Sequence, residues 1–222
     1  MIAEPTSRAV EKCRRKFLKN FPGGYNGSKY IAWEREYKWQ AHESWKEFLD
    51  KPLYKELLEK KAFFEIASIA IRIESRTNLL FSFEKIAVRD AVKNKEGAKI
   101  FAQGLFDYVY GDGKLKDRFE QWAVALKKLP VVKTRVHTWP LQSVFGFIAN
   151  PKEHIFLKPR VTQAAALAFG YDFNYNSKPN WETYKSLLDF AAIVKKETLD
   201  LKPRDYIDLQ SFIWVMGSDE YV

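Results

Sequence analysis

Cysteine is nearly absent from this sequence, since Cys13 is the only one among 222 residues. A single cysteine excludes a disulfide within the chain and a zinc site built on cysteines. It also favours a reducing compartment. Histidine is scarce as well: the chain has only His42, His137 and His154, and no two of them have the four-residue spacing of a helical zinc site. The sequence therefore predicts no metal site and no cofactor.

Long apolar runs are missing too. The most apolar window, 62–73, contains Glu65 and Arg72 and is too short to span a bilayer, and residues 1–17 contain no apolar run suited to a signal peptide. Glycine-rich phosphate loops, dinucleotide fingerprints and the serine-hydrolase elbow are also absent. We expect a soluble cytoplasmic protein that does not associate with membranes. No catalytic residue is assigned, and the sequence favours a protein that is not an enzyme.

Aromatic residues, by contrast, are plentiful, with seven Trp, eleven Tyr and seventeen Phe, and 46% of the chain is apolar. Such a composition supports a large core. Apolar residues recur at helical spacing along most of the chain, most clearly over 97–110. We predict a mostly α-helical, compact domain with a few short extended strands in the C-terminal half. The helix over 63–73 is apolar nearly all round, which predicts a central position.

Turn and cap residues set the predicted boundaries. The first helices are expected over 5–20, 30–49, 52–60, 63–73, 83–94 and 97–110, and the next one ends at Pro130. Later helices are expected to begin at Trp139-Pro140, at a Thr162 cap with Gly170 as its end, at an Asn180 cap over 181–197, and over 203–216.

The pattern changes after Pro130. Alternating apolar and polar residues predict an extended segment over 131–138, and short extended pieces follow at 155–157 and 171–175. No flexible linker is visible at this point. We therefore predict one domain over 1–222, with a subdivision near residue 130, into 1–130 and 131–222, as the alternative.

A basic segment is the strongest hint of a partner. Residues 127–160 contain seven Lys or Arg against the single acid Glu153, so their net charge is +6 in a chain of net charge +9. Basic rows with aromatic neighbours are typical of phosphate and base contacts, and a solvated positive face is the alternative. The predicted polyanion-binding residues are Lys133, Arg135, His137, Trp139, Lys152, His154, Lys158 and Arg160. We expect Lys133, Arg135, Lys158 and Arg160 to share one exposed face.

Two other sets of residues support different hypotheses. A polar pocket with an unusual active site would be formed by Arg72, Glu74, Arg76, Arg204 and Asp208, because charged groups that converge in a cleft often mark function. Ion pairs that orient helices are the structural alternative. A protein–protein module would instead expose an aromatic patch, with Trp39 or Trp45 as its centre.

Three blocks of residues carry a resemblance to known proteins. They are Thr77-Asn78-Leu79-Leu80 with Phe83-Glu84-Lys85 and Arg89-Asp90-Ala91, Trp139-Pro140 through Phe156-Leu157-Lys158-Pro159, and Pro179-Asn180-Trp181 through Arg204-Asp205-Tyr206-Ile207-Asp208-Leu209-Gln210-Ser211-Phe212-Ile213-Trp214. Together they resemble a family of uncharacterised bacterial proteins of similar length. Their order is also similar to regions that accompany ATPases of methylation-dependent restriction systems, although the ATPase motifs are absent here. This resemblance implies no catalytic residues.

The charge pattern and the resemblance lead to one hypothesis. We expect a bacterial accessory or sensor protein that binds nucleic acid or another polyanion in DNA metabolism or phage defence, with a protein partner encoded by a neighbouring gene as a further expectation. The enzyme and protein–protein hypotheses remain the alternatives.

Overall fold

The computed structural model describes residues 6–221, which form eleven α-helices. Residue 5, where the first helix was predicted to begin, lies outside this range. Helix α2 is continuous over 28–48 and consists of Ser28–Tyr30, a π-helical segment Ile31–Arg35, and Glu36–Phe48. The other helices are α1 Ser7–Asn20, α3 Lys51–Glu59, α4 Phe63–Ser75, α5 Ser82–Ala91, α6 Lys95–Tyr110, α7 Leu115–Lys128, α8 Trp139–Ala149, α9 Pro159–Phe169, α10 Trp181–Glu197 and α11 Tyr206–Gly217.

Side-chain caps explain several helix starts. Asp50, Asn94 and Asn180 each accept a hydrogen bond from the backbone N–H three residues later, at 2.8–2.9 Å, which satisfies a donor that the helix itself leaves unpaired. The cap predicted at Asn180 is thus confirmed. The cap predicted at Thr162 is wrong, because α9 already begins at Pro159. Similarly, α11 begins after the cap Asp205 rather than at 203.

Helix α8 is the most deeply buried element. Every residue from Trp139 to Ala149 is buried, and α2, α4, α6 and α7 all pack against it. The sequence predicted this central position for α4 instead. That helix buries Ile66 and Ala70 but exposes Phe64 and Arg72, so it lies at the edge of the core.

Helices on both sides of Pro130 share this core. Trp122 of α7 donates from Nε1 to the carbonyl of Gln142 in α8, at 3.1 Å. Helices α6 and α7 form a hairpin and approach closely at Gly104, where an added Cβ would lie 2.6 Å from the Cβ of Ala125. At the opposite end, α1 packs against α9 and α11.

The predicted strands are absent: residues 6–221 contain no β-strand. Segments 131–138, 155–157 and 171–175 are irregular, and in the last two a side chain of a nearby helix takes the place of a partner strand. The N–H of Leu157 donates to Ser143 Oγ at 3.0 Å, and that of Asn174 to Ser186 Oγ at 3.1 Å. These two segments therefore satisfy backbone groups without a sheet.

None of the helices in residues 6–221 combines the length and apolar character needed to span a bilayer.

Candidate ligand-binding cleft

A buried charge network joins α2 to the start of α11. Asp208 is fully buried and accepts hydrogen bonds from Tyr30 OH at 2.7 Å, from Arg35 Nη1 at 3.0 Å and from Arg204 Nε at 2.8 Å. The backbone N–H of Arg204 donates to the same carboxylate at 2.9 Å. Two guanidinium groups therefore compensate this buried carboxylate.

Arg35 also forms a two-pronged contact with Asp205. Nη1 lies 2.9 Å from Oδ1 and Nη2 lies 2.7 Å from Oδ2, which is the strongest geometry for such a pair. Burial opposes the charged form of Arg35, but the hydrogen bonds to Asp205 and the charge of Asp208 raise its pKa above the ordinary value. Arg35 lies in the π-helical segment, a local distortion that is frequent at functional sites.

One turn further along α2, a second buried pair fixes the same two helices. Lys38 Nζ donates to Glu34 Oε2 at 3.1 Å and to Ser211 Oγ at 2.8 Å. Tyr221 donates its hydroxyl to the other oxygen of Glu34. These contacts are closed off from solvent, so we assign them a structural role.

A cleft of about 740 Å³ opens beside this network. Residues of α2, the turn after α8 and the segment before α11 form its walls. Its charged lining comprises four basic side chains and two acidic ones, namely Arg35, Lys46, Lys152, Arg204, Glu36 and Asp205. Since Asp205 is neutralised by Arg35, the cleft carries an excess of positive charge.

Three basic groups remain available in the cleft. Lys152 is exposed, and its ammonium has no partner within residues 6–221. Arg204 uses Nε and Nη2 for Asp208 and for the carbonyl of Tyr25, at 2.7–3.0 Å, while its Nη1 makes no hydrogen bond within the described chain. Lys46 has only an exposed ion pair with Glu43, at 3.2 Å, and such surface pairs are weak.

Trp39 provides a flat apolar surface in the same cleft. Its side chain is 38% exposed. The guanidinium carbon of Arg35 lies over the ring, 5.0 Å from its centroid, and the His42 ring packs at an angle with a centroid distance of 5.1 Å. The indole is thereby held in place while part of its surface stays open to a ligand.

His42 has a defined tautomer. Its Nδ1 lies 2.9 Å from the carbonyl oxygen of Ile148 and must donate to it, so in the neutral ring Nε2 is a hydrogen-bond acceptor. Burial lowers the pKa of His42 below its ordinary value. At neutral pH this wall of the cleft therefore offers an uncharged acceptor.

The eight predicted polyanion-binding residues separate into two groups. Lys133, Arg135, Lys152 and Arg160 are exposed, and only Lys152 lines the cleft. The other four are half-buried or buried, namely His137, Trp139, His154 and Lys158.

Lys158 contradicts the expectation of one exposed basic face. Its Nζ donates to the carbonyl of Leu79 at 3.0 Å, lies 3.5 Å from Glu84 Oε2, and lies 3.5 Å from the centroid of the Phe81 ring. Burial lowers the pKa of Lys158. This lysine connects α9 to the start of α5 and is not accessible to a phosphate backbone.

Trp139 and His154 also belong to the interior, and His137 is half-buried. Trp139 donates from Nε1 to the carbonyl of Asn176 at 2.7 Å, and His154 packs against the Tyr108 ring with a centroid distance of 4.5 Å. Burial, with the positive charges of Lys127 and Arg135, lowers the pKa of His137 to about 4. Trp139 and His154 therefore offer no free surface to a base.

The polar-pocket set does not converge. Arg204 and Asp208 belong to the network at the cleft, while Arg72 and Arg76 line two separate depressions. Glu74 is buried beside Lys85, at 3.7 Å, and burial raises the pKa of its carboxyl group. An active site built from these five residues is therefore excluded by their positions.

The cleft brings together residues from three separate sequence hypotheses. Lys152 belongs to the basic segment, Arg204 to the polar set, and Trp39 to the aromatic patch. Trp45 is fully buried and donates to Tyr110 OH at 3.1 Å. His42 and Lys46 were missed, although Arg35, Trp39, His42 and Lys46 follow the i, i+4, i+7, i+11 spacing of one helix face, a signal that was present in the sequence.

Residues 6–221 contain no cluster of three or more histidine, cysteine or acidic side chains that could hold a metal ion. No family model, no curated protein and no solved structure matches this chain. The function of the cleft therefore has to be inferred from its own residues.

Proposed function

We propose that the protein binds nucleic acid through unpaired nucleotides, and that the cleft beside Trp39 is the binding site. The observation that carries this proposal is the combination of a partly exposed indole with three available cations, Lys46, Lys152 and Arg204. Proteins that bind single-stranded nucleic acid use this combination, because bases stack on aromatic rings while cations contact phosphates.

The size of the cleft supports unpaired nucleotides in particular. A volume of about 740 Å³ falls within the usual range of sites for small ligands, and a duplex is far wider than such a site. A base inside a duplex is also covered on both faces by its neighbours, whereas an unpaired base can leave the stack and place one face on Trp39.

His42 adds a selective contact to this arrangement. Its Nε2 can accept a hydrogen bond from an amino or imino group of a base, or from a ribose hydroxyl. The neutral state of His42 at physiological pH follows from its lowered pKa. A charged imidazole would offer donors only, so its role is distinct from that of the lysines.

The first test compares binding of a labelled single strand, its duplex and a strand of abasic sites, measured by fluorescence anisotropy. We expect the single strand to bind best. Trp39→Ala should weaken its binding by roughly 1–3 kcal/mol, the usual contribution of one base–aromatic stack. Trp33→Ala is the matched control, because Trp33 lies on the same helix, is 58% exposed and does not line the cleft.

Two results would contradict the proposal. One is an equal affinity of the wild-type protein for the duplex and the single strand. The other is an equal loss of affinity for Trp33→Ala and Trp39→Ala. If the abasic strand binds as well as the normal one, the result agrees with the phosphate contacts but contradicts base stacking on Trp39.

A second candidate function is suggested by His42 alone. A neutral histidine with a fixed tautomer and an open Nε2 can act as a proton acceptor, so the same cleft could be an active site. Incubation of single-stranded RNA and DNA with wild-type protein and with His42→Ala tests this. Strand cleavage that disappears in the variant supports it, and intact strands after prolonged incubation exclude it.

The biological setting is the remaining part of the proposal. An accessory or sensor role in DNA metabolism or phage defence, beside a partner encoded nearby, rests on the sequence resemblance. Substitution of the cleft residues by alanine in the native host, followed by a phage challenge, tests this role separately from binding.

A further inference from the structure

A second groove, of about 550 Å³, lies between α4 and the C-terminal end of α5. Helix α4 contributes Ser68, Arg72 and Ser75, and Arg89 and Lys93 come from the last turn of α5 and the residues that follow it. Exposed Phe64 forms part of its apolar wall. None of these residues lines the cleft described above.

The groove is lined by three cations and, within the described chain, by no carboxylate. Four other depressions on the surface all have at least one Asp or Glu in their walls. The guanidinium groups of Arg72 and Arg89 make no hydrogen bond or ion pair with any residue of 6–221. Only Lys93 is paired, with Asp90 at 2.6 Å.

Helix polarity does not account for this arrangement. Arg72 and Arg89 each lie in the last turn of a helix, where a cation is favoured by the negative helix end. Two helix ends supply roughly one negative charge in total, about half a charge each, and Asp90 compensates Lys93, whereas the groove holds three positive groups. A positive excess remains, and it faces solvent.

Hydroxyl groups complete the surface. Ser75 Oγ donates to the carbonyl of Arg72 at 2.8 Å, and Ser68 Oγ has no partner among the described residues, so it is free to donate to a ligand. Forked arginine donors with a neighbouring hydroxyl match the oxygens of a tetrahedral anion. A carboxylate ligand would use one guanidinium fork and leave the second without a partner.

We propose that this groove is a second anion site, which binds a phosphate group through Arg72, Arg89 and Lys93. The phosphate belongs either to a nucleic-acid backbone or to a small phosphorylated compound. Because the groove is separate from the cleft, this site does not depend on the function proposed above.

Isothermal titration with inorganic pyrophosphate, and anisotropy with a single strand of about twelve nucleotides, test the site at low ionic strength. We expect the double variant Arg72→Ala/Arg89→Ala to lower the affinity for at least one probe by about tenfold or more, since each removes a charge-assisted contact. Arg72→Lys should recover only part of the loss, because lysine keeps the charge but not the fork.

Two controls separate the site from general charge effects and from the cleft. Arg76→Ala removes an exposed arginine four residues beyond Arg72 that lines a different depression, and Trp39→Ala alters the cleft alone. Pyrophosphate affinity should stay unchanged in both. A loss confined to pyrophosphate identifies a small phosphorylated ligand, and a loss with the oligonucleotide identifies a backbone contact.

The proposal is overturned if the double variant binds both probes like the wild-type protein, or if Arg76→Ala causes an equal loss. The exposed positions of Arg72 and Arg89 should leave folding intact, which the thermal midpoints of the variants verify.

Discussion

The cleft network and the α4–α5 groove each contain a pair of arginines, but the two pairs are held in opposite ways. In the network, Arg35 and Arg204 both pair with Asp208, and Arg35 also forms an ion pair with Asp205. In the groove, Arg72 and Arg89 have no acidic partner within residues 6–221. Most charges of the network are therefore paired between helices, whereas the arginines of the groove stay available to a ligand.

This difference shows why a count of charges is a poor guide to a binding site. The +6 segment contains the buried Lys158 alongside the exposed Lys133, and only one of its basic residues reaches the cleft. A cation that is buried, or whose donors are all engaged by a buried carboxylate, is no longer available to a ligand. The most informative experiments are those that treat the two arginine pairs alike and compare the outcome.

The largest expected effect is on stability. Asp208→Asn keeps the size of the side chain but leaves the guanidinium groups of Arg35 and Arg204 without their shared counter-charge. Because one partner of a buried ion pair is removed, we expect a loss of about 3–5 kcal/mol in the free energy of unfolding. Arg72→Ala, in the exposed groove, should change it by no more than about 0.5 kcal/mol.

Urea denaturation followed by circular dichroism measures both values. A variant Asp208→Asn that unfolds at the wild-type urea concentration would show that the network contributes little to the fold. The distinction drawn between the two arginine pairs would then fail.

Stability against pH should also separate the buried interior around His154 from the exposed groove. Burial lowers the pKa of His154, so the unfolded chain takes up a proton below a pH of about 6.5 while the folded chain resists it. The free energy of unfolding should therefore fall as the pH decreases, by up to about 1.4 kcal/mol per pH unit for this group. The neighbours His154 and Arg118 lower the pKa of Glu153 from 4.5 to about 2, which adds a further loss between those values.

Thermal midpoints measured from pH 8 down to 3 test this sign. His154→Gln should be less stable at neutral pH but should have a flatter pH dependence. The groove variant Arg72→Ala/Arg89→Ala should follow the wild-type curve, because arginine stays charged over the whole range. A wild-type protein that gains stability on acidification would contradict the buried, neutral state of His154.

Most helices could be predicted from the sequence because the residues that begin and end them act locally. Caps such as Asn180 and the left-handed Gly170, with φ of 78°, act within a few residues and fix a boundary whatever lies elsewhere. The prediction of extended strands was wrong for the opposite reason, because strand pairing depends on residues distant in the sequence. Their apolar–polar alternation is real, but whether Leu157 pairs with a strand or with Ser143 Oγ depends on which element the fold places beside it.

The cleft was only partly readable for the same physical reason. The stripe of Trp39, His42 and Lys46 on α2 is local and can be found by helical spacing. Lys152 and Arg204 reach the cleft from a turn and from the start of another helix, and no sequence pattern links their positions. Burial is equally non-local, because the Lys158 ammonium is engaged by Glu84 and Leu79, more than seventy residues away.

The smallest expected effect concerns salt, and it sharpens the comparison between cleft and groove. Each phosphate contact that is lost should reduce the slope of log affinity against log salt by about 1. With an oligonucleotide of about three nucleotides, which fills the cleft alone, Lys152→Ala should reduce the slope and Lys93→Ala should not. With a longer strand, a reduced slope for Lys93→Ala would show that one strand contacts both regions. If Lys152→Ala leaves the slope unchanged for every strand, its ammonium does not contact phosphate, and the positive charge of the cleft serves the protein rather than a ligand.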